Sequence, residues 1–109
     1  MLGIALTHDA KGFLQDVHES EGQVCYFTSY LLGHLVSAQL SEAMTKSIGA
    51  PEDHVREGSL DAMLDWLRQN VHTVGRALNA EQLVEKVSGR KLCAKPFLDY
   101  LEAKVNNLR

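Results

Sequence analysis

The chain has 109 residues and a formal net charge of -3. A chain of this length forms one domain at most, so residues 1–109 are predicted to be a single domain. The acidic balance leaves no basic face to neutralise phosphates, which removes the usual electrostatic reason for binding nucleic acid.

The cysteine count and the first residues indicate where the chain resides. Cys25 and Cys93 lie far apart in sequence and fit neither a paired metal motif nor a disulfide framework, which favours a reducing compartment. The segment Met1–Ala10 has no basic region of the kind that opens a signal peptide. No window reaches the apolar length that a membrane span needs. We therefore expect a cytoplasmic protein with no membrane partner.

The first predicted helix runs from about Thr28 to Ile48 and ends before Gly49 and Pro51. Its apolar side chains cover more than one stripe of the helix surface. They are Tyr26, Phe27, Tyr30, Leu31, Leu32, Leu35, Val36, Leu40, Ala43 and Met44. A helix that is apolar on most sides belongs inside a larger body.

A second helix is predicted over about Leu60 to Val71, with Ser59 as its N-cap. Its spacing predicts that Leu60, Met63, Leu64, Leu67 and Val71 are buried. A short helical turn is expected before it, around Glu52 to Arg56.

The last two predicted helices have clear start signals. Asn79 can cap the third helix together with Gln82, and Gly89 ends it. Pro96 is predicted at the first position of the fourth helix. That helix should present Phe97, Leu98, Leu101 and Val105 to a core. Because no stretch alternates like a strand, the fold class is predicted to be all-α.

A search for catalytic and metal-binding motifs finds no complete one. The five histidines are His8, His18, His34, His54 and His72. None is followed four residues later by another, and the nearest approach to HExxH, which begins at His18, has Gly22 in the second histidine's place. A small metalloenzyme that uses His18 with glutamates, and His34 or His72, is one hypothesis; a loop histidine with solvated neighbours is the alternative. Cys25 is predicted to be a small buried hydrophobe.

Two motifs in the first third of the chain resemble those of one known protein family. Residues 12–18, GFLQDVH, resemble the GxxQDxHW signature of the carboxypeptidase Taq metallopeptidases. Residues 25–34, CYFTSYLLGH, are similar to the GYFPTYxLGN segment that follows in that family, at the same spacing. The resemblance extends from about Leu2 to Lys104.

The resemblance implies a fold and an activity. Members of this family are helical enzymes of several hundred residues, commonly homodimers, that remove C-terminal amino acids with zinc held by HExxH and a downstream glutamate. It implies that this chain is their C-terminal helical segment, of about four helices, with no metal ligands of its own. The motif positions carried over are Gln15, Asp16, His18, Tyr26 and Tyr30, and the two tyrosines are suited to donating hydrogen bonds to the peptide carbonyl.

The sequence also departs from the family pattern. Glu19 replaces the signature tryptophan, Cys25 replaces a glycine, and Thr28 and Ser29 replace proline and threonine. We therefore expect a chain that is inactive alone, with a peptide substrate only when completed. The alternative is a module that dimerises, or docks on a separately encoded N-terminal part that completes the active site.

Overall fold

The computed structural model describes residues 7–12, 15 and 17–108, and none of these residues forms a β-strand. The chain divides into two compact units, Met1–Leu31 and Leu32–Arg109. The helices in chain order are α1 (Val17–Ser20), α2 (Tyr26–Ile48), α3 (Pro51–Glu57), α4 (Asp61–Asn70), α5 (Ala80–Ser88) and α6 (Lys95–Asn106). The all-α prediction is confirmed, whereas the single domain over residues 1–109 stays a prediction.

The long helix α2 begins at Tyr26, two residues before the predicted start. Its first turn is supported by Thr28, whose side-chain hydroxyl donates to the carbonyl of Cys25 at 2.7 Å. The helix ends where expected, since Gly49 has φ +94 and its N–H donates to the carbonyl of Thr45 at 3.0 Å. No helix of the described residues is long and apolar enough to span a membrane.

The predicted turn around Glu52 is a full helix, α3, and its end explains an error in the next prediction. Gly58 has φ +69, its N–H donates to Val55, and the Ser59 N–H donates to the carbonyl of His54 at 3.0 Å. These two bonds form a Schellman motif, so Ser59 closes α3. The prediction that Ser59 caps α4 is wrong; the N-cap position is Leu60, with no side-chain cap.

The buried face of α4 also differs from the prediction. Leu60 and Leu64, predicted to be buried, are exposed, whereas Trp66 is 8% exposed and lies in the core. The remaining predicted core positions, Met63, Leu67 and Val71, are half-buried. The buried face of α4 therefore centres on Trp66, with half-buried Met63 and Leu67 beside it.

Helix α5 follows its sequence signals. The Asn79 side chain accepts from the Gln82 N–H at 2.9 Å, and the Gln82 side chain accepts from the Asn79 N–H at 3.0 Å. This is a capping box. Gly89 ends the helix in the left-handed conformation, with φ +72. Both ends of α5 are thus confirmed.

Helix α6 packs through its first turn. It begins at Lys95, one residue before the predicted Pro96, and Pro96 is buried. The ring of Phe97 stacks on His34 with centroids 5.7 Å apart and planes 6° apart. The prediction that Leu98, Leu101 and Val105 face a core is wrong for the described residues, since all three are exposed. Packing at one end of the helix leaves that face uncovered.

A buried polar side chain joins α2 to the segment after α5. Gln39 has no exposed surface, and its amide nitrogen donates to the Ser88 hydroxyl at 2.8 Å. It also donates to the carbonyls of Arg90 at 3.2 Å and Lys91 at 3.1 Å. Its oxygen accepts from the Cys93 N–H at 3.0 Å. Gln39 therefore pairs backbone groups of this irregular segment, in which the Ser88 hydroxyl also donates to the Arg90 carbonyl at 3.1 Å.

Candidate functional site

The motif residues His18, Tyr26 and Tyr30 lie together in the first unit. His18 is the second residue of α1, and both tyrosines lie in the first turns of α2. Between the two helices, the Gln23 N–H donates to the carbonyl of His18 at 2.8 Å, and Gly22 adopts φ +77. This tight turn brings the start of α2 back against the imidazole.

The rings form one packed group. The His18 imidazole stacks on Tyr26 with centroids 5.0 Å apart and planes 14° apart. Phe27 and Tyr30 approach it edge-on, at 5.4 Å and 5.7 Å. Tyr26 and Tyr30 contact each other at 5.3 Å, as residues four apart on a helix do. We call His18, Tyr26, Phe27 and Tyr30 the aromatic cluster.

One polar contact lies within the aromatic cluster. The His18 Nε2 is 3.3 Å from the hydroxyl of Tyr30, and which of the two donates depends on the histidine tautomer. His18 is half-buried, and all three aromatic neighbours are exposed. The cluster thus presents two phenol hydroxyls and an imidazole at the surface, groups that can donate to or accept from a peptide.

The two remaining motif positions are Gln15 and Asp16. The Gln15 side chain donates to the carbonyl of Ala10. Asp16 lies outside the described residues. Phe27 was not among the predicted site residues, although its spacing to Tyr30 places both on one helix face. That spacing is the signal that could have identified it.

Cys25 is exposed, so the prediction of a buried hydrophobe is wrong. Its backbone has φ +63, and among the described residues other than glycine no other has positive φ. This left-handed conformation ends the turn just before α2 and turns the side chain toward the surface. It also gives a physical reason for the glycine of the family pattern, because only glycine adopts it without strain.

The remaining histidines do not gather around a common point. His34 stacks on Phe97, and the Nε2 of His54 is 2.8 Å from the carbonyl of Ile48. His72 begins a 3-10 turn over His72–Val74. Among residues 7–12, 15 and 17–108, no three His, Cys, Asp or Glu side chains could together hold a metal ion.

Comparison with known proteins matches nearly the whole chain to one family. The family model described as Carboxypeptidase Taq (M32) metallopeptidase matches residues 1–105. Thermostable carboxypeptidase 1 of Thermus thermophilus is 38% identical over 103 residues, which are 94% of this chain and 20% of that protein. Carboxypeptidase 1 of Bacillus subtilis is 34% identical over 107 residues, which are 98% of this chain and 21% of that protein.

A solved structure has the same fold. The crystal structure described as BsuCP matches with a TM-score of 0.85 and 34% identity, over 98% of this chain and 22% of that one. The chain therefore spans about a fifth of the length of the curated relatives it matches. A metallopeptidase match implies a metal ion, but the donor set of the described residues does not fit one.

Proposed function

Since the chain belongs to the carboxypeptidase Taq family of metallopeptidases, we propose that it forms a substrate-side part of a zinc-dependent metallocarboxypeptidase and by itself releases no C-terminal amino acids. One observation carries the proposal. The family match covers residues 1–105, yet the sequence contains no HExxH. A zinc peptidase needs such ligands to hold its ion.

The aromatic cluster supplies the substrate contact in this proposal. Tyr26 and Tyr30 are exposed and His18 is half-buried, within one packed group of rings. Groups held in this way donate to a carbonyl oxygen with little reorganisation. Their part is to bind and orient a peptide, and the hydrolytic chemistry comes from another part of the enzyme.

Release of amino acids from a blocked dipeptide tests the proposal. The purified chain is incubated with zinc chloride and the dipeptide, and free C-terminal amino acid is measured beside Bacillus subtilis carboxypeptidase 1. We expect no release above the blank from this chain. Release that is lost in His18→Ala would show an active site within these residues and would overturn the proposal.

A second candidate function is a docking module that dimerises or completes an active site with a separate part. Exposed apolar side chains at the start of α2 favour it, since Tyr26, Phe27 and Leu31 are 43%, 56% and 52% exposed. Adjacent exposed apolar side chains mark interaction surfaces. Sedimentation of the purified chain checks it: a monomer at all concentrations, alone and with a candidate partner, counts against this function.

Several further statements stay predictions. A homodimer, a cytoplasmic location and zinc as the metal rest on the family resemblance or on the cysteine pattern. The absence of nucleic acid among the partners rests on the net charge.

A further inference from the structure

An open groove lies between α2 and α4 in the second unit. Its floor and sides include Gly33, Val36, Leu40, Met44, Met63 and Leu67, and its volume is about 360 Å³. None of the nine residues that line it carries a charge. We call it the α2–α4 groove. An uncharged groove of this kind prefers an apolar occupant to water.

Gly33 lines the groove, and open space lies where a side chain at this position would begin. A Cβ atom built on it meets nothing within 4 Å among the described residues. Glycine lowers the stability of a helix interior relative to alanine, so its place in the middle of α2 is unfavourable for the isolated helix. A close neighbour from outside the described residues would account for the missing side chain.

The comparisons indicate what that neighbour is. This fold recurs with a TM-score of 0.85 inside a chain of which it forms 22%. In a chain of that length, a helical layer of this size packs against the remainder, because one layer alone cannot bury its apolar faces. The surface that the remainder covers is expected to be largely apolar, and the α2–α4 groove is lined by uncharged residues.

A second copy of this chain is a poor occupant. A two-fold symmetric contact would place the groove against itself. Two concave surfaces leave a void where they meet, whereas a protruding helix that presents large aliphatic side chains fills a groove.

We propose that the α2–α4 groove binds an apolar helix from the metal-bearing remainder of a family carboxypeptidase. The proposal rests on the proposed function, because it takes that remainder to be the missing part. It adds the surface and the chemistry of the partner. The contact is through aliphatic side chains, with Gly33 at the point of closest approach.

A single substitution can block the groove without weakening the fold of the free chain. Gly33→Leu fills open space at the groove, and it favours the free helix because leucine is a better helix former than glycine. We expect a higher urea midpoint for the free variant than for the wild type. Gln69→Leu is the matched control, since it adds a similar side chain at an exposed position of α4 that does not line the groove.

Binding is measured against Bacillus subtilis carboxypeptidase 1 made without the residues that match this chain. Calorimetry should show one-to-one binding of the wild type and of Gln69→Leu, and at least about tenfold weaker binding of Gly33→Leu. Intact carboxypeptidase 1 should not bind, because its own segment occupies the place. Equal affinity of Gly33→Leu and wild type would overturn the proposal.

A chimera covers the case in which the shortened relative does not fold. This chain replaces the matching residues of carboxypeptidase 1, and thermal unfolding is followed. Gly33→Leu should lower the midpoint of the chimera while it raises that of the free chain. A raised midpoint in both, or a free-chain dimer that Gly33→Leu abolishes, would overturn the proposal, as would failure of both the shortened relative to bind and the chimera to fold.

Activity is read separately from binding. If the wild type binds, Gly33→Leu does not, and the complex releases no amino acid, the groove assignment holds and the completed enzyme of the proposed function does not. If the free chain releases amino acids by itself, the proposed function fails while the binding result still decides the groove.

Discussion

The middle of α2 buries a polar side chain, whereas the beginning of the same helix leaves aromatic side chains exposed. Near the middle, the polar Gln39 has no exposed surface and makes four hydrogen bonds to the segment 88–93. At the beginning, Tyr30 contacts Tyr26 and Phe27, and all three rings contact His18 but stay exposed. Burial along this helix therefore follows the partners available, and hydropathy alone would reverse the two regions.

The region around Gln39 is expected to stabilise the fold, whereas the aromatic cluster is expected to contact another molecule. Every buried side-chain polar atom among the described residues has a hydrogen-bond partner. The polar groups of the Gln39 side chain are therefore fully used within the fold. The aromatic cluster has rings packed on one side and open on the other. We expect substitutions around Gln39 to affect folding, and substitutions in the cluster to leave folding nearly unchanged.

The largest expected effect comes from Gln39→Leu. The substitution leaves the Lys91 carbonyl and the Cys93 N–H without the Gln39 amide, whereas the Arg90 carbonyl keeps its bond from the Ser88 hydroxyl. Because each buried group without a partner costs about 1–3 kcal/mol, we expect a loss of about 2–4 kcal/mol in the free energy of unfolding. Urea titration measures it. The exposed Gln69→Leu should change the free energy of unfolding by less than about 0.5 kcal/mol. Similar losses of stability in the two variants would contradict the stabilising role assigned to Gln39.

A smaller effect is expected from Asn79→Ala, in which urea titration measures how far the capping box stabilises α5. The substitution removes the side-chain half of the capping box, for a loss of about 1 kcal/mol. Asn79→Ser should retain most of the stability, since serine caps helices nearly as well. An alanine variant as stable as wild type would mean that α5 is fixed by packing alone.

A gain in stability is expected from Cys25→Gly, at the entrance to the aromatic cluster. The left-handed backbone at Cys25 is strained for a side chain, and glycine removes that strain at some cost in unfolded-state entropy. The expected net gain is about 0.5–1 kcal/mol. Cys25→Ala keeps the strain and serves as the control. Equal stability of the glycine and alanine variants would show that the turn is not strained.

The smallest effect concerns Glu42, which lies on α2 three residues after Gln39. The hydrogen bond from the Lys46 ammonium, with the charge of Arg90, holds the pKa of its carboxyl below the ordinary value. Because the folded pKa is the lower one, the stabilisation is present above the unfolded pKa and is lost as pH falls through the folded pKa. Since the side chain is 33% exposed, Glu42→Gln should cost less than about 0.5 kcal/mol at neutral pH. The difference from wild type should vanish in acid; a difference independent of pH would point to packing.

Local sequence signals predicted the ends of elements well and their buried faces poorly. Asn79, Gln82 and Gly89 define α5 because capping depends only on neighbouring residues. The exposed faces of Leu60 and Leu64 on α4, and of Leu98 on α6, could not be predicted, because burial depends on which element packs against each helix. The Gln39 network joins residues about fifty apart, so no local pattern reveals it.

The candidate site was likewise predictable from the sequence only in part. The spacing of Tyr26 and Tyr30 predicted a shared helix face, and the structure places them in contact. That His18 stacks on Tyr26 depends on the turn through Gly22, which the motif alone does not specify. The left-handed conformation of Cys25 was likewise visible only as a departure from the family glycine.

Zinc content after equilibrium dialysis tests most directly whether this chain, which has the family's helical fold, lacks a metal site of its own. Atomic absorption on the purified full chain, dialysed against zinc and then against buffer, should find far less than one zinc per chain. One zinc per chain that is retained by the wild type and lost in His18→Ala would contradict the account.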